Sequence, residues 1–294
     1  MKKIRTYYLL HIATLALLLY SCVPQQKIAP TKQKLSQQDS LLQVYDQQLT
    51  RLDAKRKTKQ ELNQLDDTAN TRIREFIEKT KAEISQFHQE NTVLIGTVEV
   101  KKEDWDRLRK NLSACLNTTK RINGKILFLS DLINRNTVLK LDQDVIFEPG
   151  QYTVASPVIA AIGKIFEPVA KEIDSFTLKY PDFPLSLAIT AKGYADATDI
   201  AEASSLYKEL KTELQFSGQP VIRENLNKAL SNLRAKSVIE LFQSYAKGKT
   251  GQGNIIFIYK GKGEELPDPR VHDYKVEDPR RRIVLLYWSV FPDY

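Results

Sequence analysis

The chain has 294 residues, and its 44 Lys and Arg against 36 Asp and Glu give a net charge of +8. This length allows one core of about 150 residues plus an extended region, and two cysteines do not make a disulfide-rich scaffold. Only three histidines are present, and no Ser-His-Asp triad, metal-ligand cluster or phosphate loop is recognisable. The sequence therefore predicts neither an enzyme nor a bound metal or cofactor.

The start of the chain has the proportions of an export signal. Three basic residues precede an apolar stretch, Leu9–Tyr20, which is shorter than the roughly 20 residues that span a membrane. The ending Leu19–Cys22 resembles a bacterial lipobox; an ordinary cleaved signal or a short anchor helix is the alternative. The resemblance implies a signal peptide over 1–21 and acyl chains on Cys22 that hold the protein in the outer membrane. Export argues against nucleic acid as a partner of this basic chain.

A predicted flexible linker, 22–35, leads into a helical region over 36–135. From Ser36 to about Asn91 there is no Gly or Pro, and apolar residues recur every three or four positions. The pattern lapses around Lys55–Lys59, which we interpret as a stutter within one long helix.

A second helix is predicted over Lys102–Asn134, after the segment Val93–Val100, which predicts a short strand or a turn. Its strict three-four spacing of apolar residues indicates a coiled-coil seam. The partner is either the first helix, folded back as an antiparallel hairpin, or a second copy in a homo-oligomer. Cys115 lies on this seam, as a small apolar filler or as an intersubunit disulfide in an oxidising periplasm.

The C-terminal domain is predicted over 137–294. Its predicted strands are Val138–Phe147, Leu185–Gly193, Asn254–Tyr259 and Arg282–Val290, and its predicted helices are Ser156–Glu172 and Arg223–Tyr245. The order β-α-β-α-β-β describes one mixed sheet with helices on a single face. With the long N-terminal helices, the expected fold class is α+β.

Five short motifs follow one another in this domain. They are Val145–Gly150, Gly193–Asp196, Asn227–Ala235, Gly261–Pro267 and Arg281–Ile283. In this order they resemble the motifs of the OmpA-like peptidoglycan-binding domain, and Asn227–Ala235 matches Asn-x-x-Leu-Ser-x-x-Arg-Ala at every fixed position. The resemblance covers roughly half of the chain. It implies that the domain binds the diaminopimelate of the cell-wall stem peptide.

The resemblance also implies a pocket for this ligand. Six residues are expected to form it: Phe147, Glu148, Gly193, Asp196, Asn227 and Arg234. Asp196 is expected to accept from the ligand's ammonium, and Arg234 to donate to its carboxylate through a planar two-pronged pair. Asn227 lies two helical turns before Arg234 on the same face. Gly193 is expected to let the backbone turn sharply at the strand end.

The chain departs from the family pattern at two places. Tyr194 and Ala195 replace a His and a Thr, which is expected to alter hydrogen bonding beside the acid. The acid and the arginine are 38 positions apart, where a much shorter separation is usual. The extra residues, Ile200–Arg223, predict a partly helical excursion over the pocket rim that widens the pocket's contacts or occludes them. Arg281 and Arg282 are expected to be structural, tying the last strand to acidic neighbours.

The sequence thus predicts a noncatalytic, periplasm-facing outer-membrane lipoprotein that tethers the envelope to peptidoglycan. The alternative is a periplasmic scaffold whose coiled coil binds another protein and whose wall pocket is degenerate. Ion-driven stator subunits also end in this domain. They require a spanning helix with a functional acid, and Leu9–Tyr20 has neither the length nor the charge.

Overall fold

The computed structural model describes residues 25–135, 137–148, 150–154, 156–181, 183, 185–247 and 255–292. The predicted signal peptide and Cys22 lie outside this part of the chain. None of the described helices is long and apolar enough to cross a membrane. The chain forms two compact units: the helical unit contains the described residues up to Arg51 and Ile77–Leu127, and the sheet unit contains Leu52–Phe76 and Phe128–Tyr294.

The described N-terminal part of the chain forms three long helices. They are α1 (Gln25–Glu61), α2 (Asp67–Gly96) and α3 (Lys102–Arg135). The prediction of one continuous first helix with a stutter was wrong. After α1 ends, Asn63 adopts a left-handed φ of 52°, and the Asp66 carboxylate caps α2 by accepting from the Thr68 N–H at 2.9 Å. Asn tolerates a positive φ and Asp favours the N-cap, so these two residues end one helix and begin the next.

Two further segments are helical where the sequence suggested otherwise. The first helix begins at Gln25, so the described part of the predicted linker 22–35 is helical. Val93–Gly96 belongs to the last turn of α2 and forms no strand. Both segments supply a buried leucine, Leu35 and Leu94, to helix packing. Apolar burial therefore decides the local conformation over linker composition and β-branched propensity.

Within the helical unit, neighbouring helices run antiparallel. Their directions follow from hydrogen bonds between them: Lys81 Nζ to Thr50 Oγ1 (2.6 Å), Asn91 Nδ2 to Asp39 Oδ1 (3.1 Å), Lys125 Nζ to Glu83 Oε2 (2.9 Å) and Asn111 Nδ2 to Asn91 Oδ1 (2.6 Å). As positions rise along one helix they fall along the next. The hairpin interpretation thus holds in an extended form, with three helices in place of two.

The heptad seam of α3 is buried inside the same chain. Leu108, Cys115 and Ile122 have almost no exposed surface. The Cys115 thiol accepts from Asn91 Nδ2 at 3.7 Å, and burial raises its pKa. This environment fits the interpretation of Cys115 as a core filler. It contradicts the intersubunit disulfide, because a fully buried thiol does not reach a second chain, and the seam needs no homo-oligomer to be covered.

The sheet unit contains, in its described residues, a mixed four-stranded sheet of order β1-β4-β2-β3. The strands are β1 (Thr137–Asp142), β2 (Leu185–Gly193), β3 (Ile255–Gly261) and β4 (Ile283–Pro292). The helices are α4 (Gln143–Ile146), α5 (Ser156–Lys179), α6 (Ser205–Phe216) and α7 (Arg223–Ala246), with a 3-10 turn at Pro279–Arg281. β2 pairs parallel with β3 and antiparallel with β4, and β4 pairs antiparallel with β1. The predicted α+β class and element order are confirmed, α6 is the helical part of the predicted excursion, and the short α4 is an additional element.

The first strand is shorter than predicted, because it ends at Asp142 and not at Phe147. Gln143 turns inward there and is buried. Its side-chain amide donates to the carbonyls of Tyr194 (2.7 Å) and Ile283 (2.9 Å). Bonding to the ends of two other strands stops the ladder and starts the single turn of α4. Phe147 follows outside the strand.

The face of the sheet away from α7 is covered by the turn between α1 and α2. The Tyr287 hydroxyl donates to the Asn63 carbonyl at 2.9 Å. Lys192, almost fully buried, pairs with Asp67 at 3.1 Å and lies 4.8 Å from the centre of the Tyr287 ring. Tyr194 packs in the same cluster as Tyr287. Residues that the sequence assigned to the helical region are therefore part of the same compact unit as the sheet.

Candidate binding site

A cavity of about 670 Å³ lies where β2 ends and β4 begins. Five of the six predicted pocket residues line it: Phe147, Glu148, Asp196, Asn227 and Arg234. Gly193 does not. Residues far apart in the sequence, among them an acid and an arginine 38 positions apart, therefore meet at one opening.

Asp196 directly follows a segment that two backbone hydrogen bonds hold in place. Gly193 O accepts from the Lys262 N–H, and the Ala195 N–H donates to Gly263 O, both at 2.7 Å. The Asp196 carboxylate is nearly buried, with 6% of its side chain exposed. One carboxylate oxygen accepts from the Thr198 N–H at 3.3 Å. The acid is thus pre-positioned by the loops that follow two parallel strands, where α/β sheets commonly place ligand-binding groups.

Arg234 projects from α7 into the same cavity and is also largely buried. Its Nη1 donates to Gln143 Oε1 at 2.6 Å, and its Nε donates to the Gln151 carbonyl at 3.1 Å. The guanidinium lies 5.4 Å from the centre of the Phe147 ring, within reach of a cation–π interaction. These contacts fix the orientation of the guanidinium. The role of Phe147 is accordingly to support Arg234, while Glu148 is exposed at the rim.

Asn227 joins the helix to the loops around the acid. Its Nδ2 donates to the carbonyls of Asp196 (3.1 Å) and Thr198 (3.2 Å) and to Glu264 Oε1 (2.9 Å). Glu264 also accepts from Arg223 Nε at 3.1 Å. With its amide protons engaged in this way, Asn227 is a residue that positions the Asp196 loop.

Gly193 is required for helix packing and not for a sharp turn, which corrects the sequence interpretation. A Cβ at this position would lie 2.1 Å from the Ser231 carbonyl oxygen of α7. Gly261 is subject to the same restriction, because its Cβ would lie 2.4 Å from the Lys228 carbonyl oxygen. Ser231 Oγ in turn accepts from the Gly263 N–H at 3.0 Å. The fixed Gly and Ser of the motifs therefore bring α7 close enough to place Arg234 beside the loop of Asp196.

Tyr194 does not lie beside the acid, contrary to expectation. Successive side chains of a strand point to opposite faces, and Tyr194 is buried with Leu285 and Tyr287 on the face away from α7. Burial raises its pKa well above the ordinary tyrosine value. Tyr194 therefore contributes to the opposite face of the sheet and does not line the cavity.

Arg282 ties the start of the last strand to an acidic neighbour, as expected, but its position at the cavity was not predicted. Its Nη1 lies 2.9 Å from Asp196 Oδ2, and both residues line the cavity. The antiparallel register of β2 and β4 pairs Gly193 with Val284, so residues just after β2 lie beside residues just before β4. Pairing the two predicted strands in this register would have placed Arg282 near Asp196 before the structure was known. Arg281, in contrast, is buried and donates to backbone carbonyls, including that of Val276 at 3.0 Å.

The inserted segment forms a wall of the cavity. Its residues at the cavity are Ile200, Ala201, Ser204, Ser205 and Leu206, which continue the wall begun by Thr198 and Asp199. The leucines of α6, among them Leu210 and Leu214, pack against Leu226 and Leu230 of α7. The excursion thus shares an apolar core with α7, and it adds surface to the cavity without filling it.

No family model matches the sequence, and no curated protein matches it. Among solved structures, the periplasmic domain of Helicobacter pylori MotB is similar at 16% identity with a TM-score of 0.30, over 52% of this chain and 76% of that chain. A likeness this low does not assign the chain to a family.

Among the described residues, no group of three or more His, Cys, Asp or Glu is placed to hold a metal ion. Fold and cavity together define an α+β domain with a charged cavity, and its function is inferred from the cavity residues.

Proposed function

We propose that the C-terminal domain is an OmpA-like domain that binds peptidoglycan noncovalently, through the diaminopimelate of the stem peptide. The observation that carries this proposal is the convergence of Asp196 and Arg234 on one cavity. The carboxylate accepts from the ligand's ammonium, and the guanidinium donates to its carboxylate. Charge-assisted hydrogen bonds of this kind are roughly twice as strong as neutral ones.

The size and lining of the cavity support a ligand of this class. Ligand pockets commonly enclose roughly 300–1,000 Å³, and this cavity, at about 670 Å³, is within that range. Such a volume exceeds one amino-acid side chain and admits neighbouring parts of a stem peptide. Ile200 and Leu206 offer apolar surface to these parts, and Ser204 and Ser205 offer hydroxyls.

The proposed role is noncatalytic. Neither described histidine lines the cavity: His88 contacts the Asp39 carboxylate in the helical unit, and His272 is in a late loop. Asp196 and Arg234 are held by contacts that fix their orientation, as a binding site requires.

The proposal includes attachment to the outer membrane. Acyl chains on Cys22 would hold the chain there, on the periplasmic side, three residues before α1 begins at Gln25. Each copy would bind the wall reversibly, and many copies on one polymer would together give a durable tether. Changing Cys22 to Ser is expected to move the protein from the membrane fraction to the soluble fraction. Unchanged membrane association would contradict the lipid anchor.

Wall binding is tested by sedimentation of the protein with purified sacculi. The full chain is used, because Leu52–Phe76 belongs to the same compact unit as the cavity. Asp196→Ala and Arg234→Ala are each expected to abolish most co-sedimentation. Lys236→Ala is the matched control, since Lys236 is an exposed cation on the same helix, 3.9 Å from Glu240. Retention of both cavity variants at the level of the unaltered chain would reject the site.

A further inference from the structure

Two consecutive arginines at the start of β4 have different environments. Arg281 has 7% of its surface exposed and donates to the carbonyls of Lys275 (3.3 Å) and Val276 (3.0 Å). Arg282 keeps 30% of its side chain exposed and faces the cavity. The first arginine holds loops together, and the second presents its charge at the candidate binding site.

We propose that Arg282 is a ligand-binding residue that sets the specificity of this cavity. The proposal rests on the proposed function. Arg282 pairs with Asp196 at 2.9 Å, so it occupies the side of the carboxylate that a ligand ammonium must reach. Binding then replaces one ion pair by two. The Arg282–Asp196 pair separates, the ligand's ammonium pairs with Asp196, and the ligand's carboxylate pairs with Arg282 and Arg234.

This exchange favours a ligand that carries both charges. An amine without a neighbouring carboxylate would separate Arg282 from Asp196 and offer the Arg282 guanidinium no ligand carboxylate in exchange. Arg282 would then lose its contact with the Asp196 carboxylate, and water at its 30% exposed side chain would replace only part of that interaction. A ligand with an ammonium and a carboxylate on the same carbon compensates both protein groups at once. The cavity is therefore expected to select an amino-acid head group over a simple side-chain amine.

The two cavity arginines are suited to different parts of this exchange. Arg234 is packed on Phe147 and bonded to Gln143, so it is a fixed receptor for the carboxylate. The Arg282 backbone is fixed where its carbonyl accepts from the Gln143 N–H at 3.0 Å. Its long side chain is nearly one-third exposed and has room to change rotamer. Arg282 can therefore leave Asp196 without disturbing the strand.

The test compares two soluble monomeric muropeptides by isothermal titration calorimetry with the full chain. One carries diaminopimelate, and the other carries lysine at the same position, which removes one carboxylate. The unaltered chain is expected to prefer the diaminopimelate peptide by about tenfold or more, as sites built to pair a charged group reject analogues that lack it. Arg282→Gln is expected to reduce this preference to about twofold or less, mainly by lowering the affinity for the diaminopimelate peptide.

Controls separate the possible failures. Lys236→Gln is expected to keep the full preference. Arg282→Lys retains a cation for Asp196, should Arg282→Gln fail to fold, and is expected to lower the preference because lysine lacks the planar donor pair. A full preference in both Arg282 variants, or an equal loss for both peptides, overturns the role of Arg282 and leaves the proposed function standing. Absence of binding by the unaltered chain to either peptide refutes the proposed function itself.

Discussion

The two compact units bury polar groups in different ways. In the helical unit, Asp39, Asn91 and Asn111 are buried and bond to one another across the three helices. In the sheet unit, Asp196 and Arg234 are equally buried but line a cavity. A closed network fixes the register of helices that an apolar seam alone would allow to slide. Groups at a cavity keep a side that remains accessible. The same degree of burial therefore belongs to a closed network in the helical unit and to charged groups at an open cavity in the sheet unit.

The chain's two tryptophans allow each unit to be followed separately. Trp105 lies on α3 in the helical unit, and Trp288 lies on β4 in the sheet unit, and both are buried. Fluorescence of Trp105→Phe therefore reports unfolding of the sheet unit, and fluorescence of Trp288→Phe reports unfolding of the helical unit. Unit-specific free energies of unfolding make the comparison measurable.

The largest expected effect comes from a methyl group at Gly193. Gly193→Ala would place Cβ 2.1 Å from the Ser231 carbonyl oxygen, and overpacking of this kind costs about 3 kcal/mol. The loss should appear in urea unfolding followed through Trp288. Gly124→Ala is the control in the helical unit, where a Cβ meets nothing within 4 Å. It is expected to stabilise α3 by up to about 1 kcal/mol. Equal stability of Gly193→Ala and the unaltered chain would contradict the packing role of Gly193.

A smaller effect is expected from opening the polar network of the helical unit. Asn91→Ala removes the amide that bonds to Asp39 and Asn111. Leaving buried partners unsatisfied should cost about 2 kcal/mol in unfolding followed through Trp105. Binding of the diaminopimelate peptide should be unchanged, because the network has no part in the cavity. If Asn91→Ala lost as much binding as Asp196→Ala, the buried network of the helical unit could not be distinguished from the buried groups at the cavity.

The smallest effect concerns alkaline pH. Burial raises the pKa values of Tyr194 and Tyr287 well above 10. A raised pKa in the folded state means stabilisation that is complete below about pH 10 and declines as the pH rises further. Tyr287→Phe removes one of these groups, so unfolding free energy of the sheet unit should fall less steeply above about pH 10.

The same variant has a measurable cost near neutral pH. Loss of the hydrogen bond to the Asn63 carbonyl should lower the unfolding free energy by about 1 kcal/mol. The helical unit is the internal reference, since Tyr45, the tyrosine among its described residues, is only partly buried. Identical pH slopes for the sheet unit with and without Tyr287→Phe would exclude the tyrosine as a source of alkaline destabilisation.

Short-range patterns predicted much of the fold. The structure confirms the predicted bounds of β2, an apolar run that ends in glycine, and places the end of α7 within one residue of the prediction. The break between α1 and α2 was missed because apolar spacing resumes after it. The end of β1 was missed because Gln143 is drawn inward by carbonyls of Tyr194 and Ile283, which are distant in the sequence.

The candidate site shows the same limit. Asp196 and Arg234 were predicted because each lies in a short motif. Arg282 was placed with the structural residues because its partner, Asp196, lies 86 positions away. Tyr194 lies on the face of the sheet away from α7 because the alternation of side chains along β2 continues one residue past Gly193, the last residue paired with β4. The motifs thus located cavity residues that lie in separate segments, and they missed a pair that forms only through sheet register.

The central claim is that Asp196 and Arg234 bind one amino-acid head group across the cavity. A crystal structure of the full chain with the soluble diaminopimelate muropeptide tests it most directly. We expect the ligand's ammonium within about 3 Å of the Asp196 carboxylate, and its carboxylate at the same distance from Arg234. A peptide bound elsewhere on the domain, with Asp196 and Arg234 untouched, would contradict the account.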